Sequence, residues 1–197
     1  MNKIDHEIPA QNFELIRDMI ASILKIELSE QKNLKSLTEE IKVFSGLNSA
    51  FNQADELLID VIFGGFNISQ QNQFSAMQDL EFYIDVYASG KGLKAGEDSG
   101  SRRDSFVGMI TYILMNEAYK TLGFETGFIG GSHIEGCENY ILTNEQDASR
   151  VKVSRLTINI KCNQQSKPSE SAILAVNKTG VRLDETDRGY EYVFNNQ

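Results

Sequence analysis

The side chains best suited to chemistry are the carboxylates of Asp60, Asp79, Glu81 and Asp85, three of which fall at same-parity positions in the segment Asp79-Leu-Glu-Phe-Tyr-Ile-Asp-Val-Tyr87. In a strand, that spacing puts them on one face. Carboxylates grouped in this way can hold a divalent metal and activate water, so one reading is a small metal-dependent nuclease or other hydrolase working through Asp60 and Glu81. Restriction-type nucleases carry a lysine two residues after the acid, whereas Glu81 is followed by Phe82 and Tyr83. The ordinary fate of a polar strand face is a solvated or subunit-facing row, and that reading needs no metal.

The other candidates for chemistry are thinner. His133-Ile-Glu-Gly-Cys137 has an i,i+4 spacing that could ligate a metal together with Cys162. Structural zinc asks for four ligands, and the chain offers only His6, His133 and its two cysteines. His133 reads instead as a surface loop residue, and the cysteines as reduced core residues rather than a disulfide. The run Gly90 to Gly100 lacks the Gly-Lys-Ser/Thr ending of a phosphate-binding loop, and nothing resembles a nucleophile elbow. Tyr83 and Tyr87 could stack bases, but base-stacking platforms sit in basic grooves. Beside acids they suit a protein interface, where tyrosine offers area with a hydrogen-bonding tip. The sequence therefore assigns no catalytic, cofactor-binding or metal residue, and implies no cofactor.

Composition narrows the classes further. A chain of 197 residues, 41% hydrophobic, supports one domain with a real core. Its net charge of -9 opposes a nucleic-acid grip, which relies on clustered Lys and Arg. The one compact basic group is Arg102-Arg103, which reads as a solvated or inter-subunit feature. Such an acidic surface repels DNA over about 8 to 10 Å at physiological salt. No window approaches the run of about 20 apolar residues that a membrane helix needs. The first residues lack the apolar core of a signal peptide, so the expectation is a protein made in the cytoplasm.

The elements follow from periodicity. Pro9 to about Lys32 reads as a helix with Phe13, Ile16, Ile20, Ile23 and Leu24 inward. Ile41 to Phe44 and Leu57 to Phe63 read as strands, the second ended or bulged by Gly64-Gly65, and Asn67 to Ser75 as a polar loop. In the next strand Leu80, Phe82, Ile84 and Val86 face the core. The segment Ser89 to Ser101 then reads as a mobile Gly-rich loop. A second helix is expected from about Arg102 to Leu122, with Ser101 and Asp104 as its capping box, Gly123 as its stop, and Phe106, Ile110, Ile113 and Leu114 buried. Gly123 to Leu142 reads as irregular. Val151 and Val153 are out of phase with Leu156, Ile158, Ile160 and Cys162, which asks for a bulge near Ser154-Arg155. Short strands are expected at Ile173 to Val176, Val181 to Leu183 and Tyr190 to Phe194. The expected fold class is α+β: a mainly antiparallel sheet packed against two helices, with residues 1–162 as the body and 163–197 as a C-terminal β extension or arm.

In the order and pattern of these elements, from Ile16-Arg-Asp-Met-Ile-Ala-Ser-Ile-Leu24 through the 57–63 and 79–87 strands to Arg155-Leu-Thr-Ile-Asn-Ile-Lys161, the chain resembles the tail terminator (tail completion) and related neck proteins of tailed bacteriophages. The resemblance implies a non-enzymatic structural virion protein, assembled in the host cytoplasm into a six-membered ring. That ring caps the tail tube and joins it to the connector or stopper protein, while DNA passes through without specific binding and no membrane is involved. Another neck or head-completion ring would share this outline. The interface or lumen residues nominated on this basis are Asp79, Glu81, Tyr83, Asp85, Tyr87, Lys91, Lys94, Glu97, Asp98, Arg102 and Arg103.

Overall fold

The computed structural model describes residues 7, 10–46, 57–71, 75–90, 94–116, 133–140, 151–165, 177–182 and 189–194. The first helix, α1 (Asn12–Leu34), begins where Glu14 reaches back to accept a hydrogen bond from the Gln11 backbone N–H at 2.7 Å. Its buried residues, Ile16, Ile20, Leu24 and Leu28, recur every fourth position and so form one stripe. That stripe packs on a five-stranded mixed sheet made of β1 (Ile41–Ser45), β2 (Leu57–Gln71), β3 (Ser75–Ser89), β4 (His133–Tyr140) and β5 (Val151–Gln165), in the order β1-β2-β3-β5-β4. β1 runs parallel to β2; the β2–β3 and β4–β5 pairs are antiparallel. The α+β expectation holds.

The core is one continuous cluster. Leu57, Ile59 and Val61 of β2, Leu80, Phe82, Ile84 and Val86 of β3, and Leu156, Ile158, Ile160 and Cys162 of β5 meet the buried residues of both helices. At its edge Phe13 of α1 stacks on Phe63 of β2, with ring centroids 4.4 Å apart.

The second helix corrects the sequence reading. α2 spans Ala95–Met115, so it starts inside the segment expected to be a mobile loop, and the Ser101–Asp104 capping box lies within the helix, where Asp104 instead pairs with Arg103 at 2.6 Å. Small size explains the early start. Ala95 and Ser99 are buried, and a Cβ on Gly90 would stand 1.9 Å from the Ala95 carbonyl oxygen, so chain and helix touch where only glycine fits. Glu97 and Asp98 in the first turn favour the positive end of the helix dipole. The expected stop at Gly123 lies outside the described residues.

β2 is also longer than expected. It continues through Gly64-Gly65 with a register shift and pairs with β3 out to Gln71, opposite Ala76, so most of the expected polar loop is ladder. Residues 133–140, expected to be irregular, form β4 on the outer edge of the sheet. The β4–β5 register is unbroken from Val153 to Thr157, and its one irregularity falls between Ile134 and Gly136, so this pairing has no bulge at Ser154-Arg155. Val153 and Arg155 lie on the face opposite Leu156, and Val153 is buried there.

The chain divides into two compact units, Met1–Gln164 and Gln165–Gln197. Within the second, β6 (Asn177–Arg182) and β7 (Gly189–Phe194) form an antiparallel pair. The expected strand at residues 173–176 lies outside the described residues.

Candidate functional site

Both helices bury their apolar stripes in the cluster on one face of the sheet. By strand alternation the other face presents Asp60 of β2, Glu81, Tyr83, Asp85 and Tyr87 of β3, Arg155 of β5, and Glu138 and Tyr140 of β4. At its centre Arg155 binds Asp85 through both carboxylate oxygens, Nε to Oδ1 and Nη2 to Oδ2, each at 2.7 Å. This planar fork fixes two strands in register as well as pairing charge. The guanidinium also stacks on tyrosines, 4.6 Å from the Tyr83 ring centroid and 5.4 Å from that of Tyr140.

A local rule repeats around this centre. In Glu81-Phe-Tyr83, Asp85-Val-Tyr87 and Glu138-Asn-Tyr140 an acid and a tyrosine two residues apart share a face. Each phenol donates to its acid: Tyr83 to Glu81, Tyr87 to Asp85 at 3.4 Å, and Tyr140 to Glu138 at 2.9 Å. Protonated phenols are thereby favoured. Burial, with Asp85 beside it, pushes Tyr87 up to about 12. The bond to Glu81 raises Tyr83, and the bond to Glu138 raises Tyr140. Arg155 is held still more firmly protonated by its bond to Asp85.

The nominated residues therefore separate. Asp85 is buried and engaged by Arg155, so it is not a solvated acid. Asp60 is buried opposite it. Glu81 lies four residues further along β3, about 13 Å by strand rise, and accepts the Tyr83 hydroxyl. The Asp60 and Glu81 pair on which a nuclease would depend is not brought together. Among the described residues no three His, Cys, Asp or Glu side chains gather to hold a metal ion. Arg102 turns inward, pairing with Glu39 at 3.3 Å and donating to the Ser89 carbonyl, so it fastens α2 to the end of β3. Lys94 is the N-cap of α2. Lys91 lies outside the described residues. Cys137 and Cys162 are free thiols; Cys137 is exposed, against the core expectation, and Cys162 is buried and accepts from the Asn12 amide at 3.0 Å. His133 sits at the start of β4, within a strand and not a loop.

Sequence reading missed Arg155, Tyr140 and Glu138. The signal was present as the repeated acid-x-Tyr spacing and as the phase slip in β5, which marks where that strand places an arginine between buried valine and leucine.

No family model matches this chain, and no curated protein does. Among solved structures, one similar chain belongs to the virion of a native gene transfer agent particle; the alignment covers 74% of this chain and 92% of that one, at 9% identity and a TM-score of 0.44. No helix among the described residues is long and apolar enough to cross a membrane.

Proposed function

We propose that this chain is a structural virion protein of the head-tail junction of a tailed bacteriophage, a non-enzymatic subunit whose copies form a ring, six in number, that caps the tail tube and meets the connector or stopper. The observation that carries the reading is the tyrosine face. Three tyrosines held upright by acids around a stacked, paired arginine have the composition of a protein interface, in which Tyr and Arg are enriched, and Glu81, which would serve a hydrolase, is taken up as a support. Tail tube, connector and neighbouring copies are the partners this reading calls for.

In such a ring the acidic balance of the chain, -9 per copy, gives DNA a wall with little to grip. Asp79, Glu97 and Asp98 are the lumen candidates, Asp85 being occupied by Arg155 and Glu81 by the Tyr83 hydroxyl. Electron microscopy of the purified chain mixed with tail tubes tests the reading. Sixfold rings on tube ends are expected, and a chain that neither assembles nor binds tubes overturns it. The purified protein should also fail to retard double-stranded DNA at low salt, where electrostatic binding is strongest. A gel shift weakened by Arg102→Ala with Arg103→Ala would sink the passive-channel part.

A further inference from the structure

β1 ends at Ser45, opposite Val61, so among the described residues β2 has no further ladder on that side as it runs to Gln71 with β3. The β2–β3 ribbon beyond Val61 thus lies at the edge of the sheet, where an uncovered strand is open to another chain. This ribbon differs from the rest of the protein in charge: the eighteen residues from Val61 to Gln78 contain no Asp, Glu, Lys or Arg, in a protein of net charge -9. Phe66 and Ile68, two residues apart and so on the same face, stand on it 48% and 50% exposed.

A matching recess lies between the helices. α1 and α2 flank an open groove of about 470 Å³ with Met109 and Ile113 at its floor, Gly108 and the exposed Tyr112 along the α2 side, and Glu27 and Lys35 on the α1 side. Its charged lining is thus one acid and one base. An apolar cavity of roughly 150 Å³ holds a benzene ring, so this groove is ample for a phenyl ring and a branched aliphatic side chain together.

We infer that Phe66 and Ile68 of one copy seat in the α1–α2 groove of a second copy of this chain. Like-charged copies repel, and the repulsion is smallest where neither contacting surface carries net charge; the ribbon and the groove are such a pair. Because they are different surfaces of the same molecule, the contact is head-to-tail and each copy keeps a free ribbon at one end and a free groove at the other. Repetition of that contact closes into a ring when the rotation allows. The inference deepens the ring reading above and rests on it for closure. Hydrophobic seating between acidic copies also sets the salt response: added salt screens the repulsion and tightens assembly, opposite to an assembly held by ion pairs.

Sedimentation velocity on the full chain tests it, comparing wild type with Phe66→Ser plus Ile68→Ser on the ribbon and with Gly108→Leu in the groove. A Cβ at Gly108 meets nothing within 4 Å, so a side chain can be started there toward the recess, and thermal melts check that each variant is folded. The expected result is a closed oligomer for wild type, strengthened by salt, and monomers for both variants. In a second arm, Phe66→Cys and Tyr112→Cys proteins, each on a Cys137→Ser background, are oxidised with diamide separately and mixed. A disulfide-linked dimer that forms only in the mixture supports the contact; dimers formed by either protein alone, or no dimer in the mixture, overturn it. An oligomer that survives both sets of substitutions overturns the inference and leaves the ring reading standing, whereas a wild-type chain that stays monomeric alone and on tail tubes overturns both.

Discussion

The two faces of one sheet use the same strands for different ends. On the helix side, alternate residues of β3 from Leu80 to Val86 are fully buried, and stability comes from apolar area removed from water. On the tyrosine side, the residues between them are tied to one another by directed bonds, and the phenols stay partly open to solvent. A face that only had to be solvated would not need Arg155 anchored at two points. The difference shows that the polar face is ordered before any partner arrives, so less side-chain freedom is lost on contact.

Substitutions on the two faces should therefore differ in size and kind. The largest effect is expected on the helix side: Ile113→Asp puts an unpaired charge into the core, costing several kcal/mol out of a total of about 5 to 15, and the protein should not give a cooperative thermal melt. A folded Ile113→Asp protein would erase the contrast. Next, Asp85→Ala strands Arg155. Removing one member of a fully buried pair costs about 3 to 5 kcal/mol, and since the Arg155 side chain is 32% exposed, a loss nearer 2 kcal/mol is expected in urea unfolding.

A pH titration sharpens the comparison further. Tyr87 titrates at about 12 when folded against an ordinary value of 10, so the native state binds the extra proton between those values. Stability contributed by Tyr87 is present below pH 10 and is lost as pH rises toward 12. Phenolate absorbance should show Tyr83, Tyr87 and Tyr140 all titrating above the ordinary tyrosine value, and Tyr87→Phe should remove the step at about 12. The smallest effect is expected for Tyr83→Phe, which keeps the ring under Arg155 and gives up only the hydroxyl bond to Glu81, at about 0.5 to 1 kcal/mol. If Tyr83→Phe instead weakens assembly while leaving the melt unchanged, the face acts through its hydroxyls and not only its rings.

What the sequence made legible follows the strength of periodic signals. β3 could be read on both faces because apolar and polar residues alternate without a break from Asp79 to Tyr87, and α1 because its buried residues recur by fours. The start of α2 was hidden, since Ala95 and Ser99 are buried for their smallness, which hydrophobic patterning does not register. The far half of β2 was hidden because Gly64, Gly65, Asn67 and Gln70 are poor strand formers, and only the ladder with β3 overrides them. Of the site, Tyr83, Asp85 and Tyr87 were visible as a row. Arg155 and Tyr140 were not, because what joins them is strand order: β5 arrives beside β3, and β4 beside β5, from far along the chain.

That distance has a consequence for how the protein comes into being. The β2–β3 ribbon is local and can close within microseconds, whereas the Asp85–Arg155 clasp joins residues 70 apart in sequence. Until β5 has been synthesised and docked, one long edge of β3 has no permanent neighbour. An open edge of this kind is a template for pairing with the wrong strand. A forked arginine that accepts one carboxylate at one register works there as a proofreading contact: a slip of one residue would turn Arg155 into the core and leave both charges unpaired.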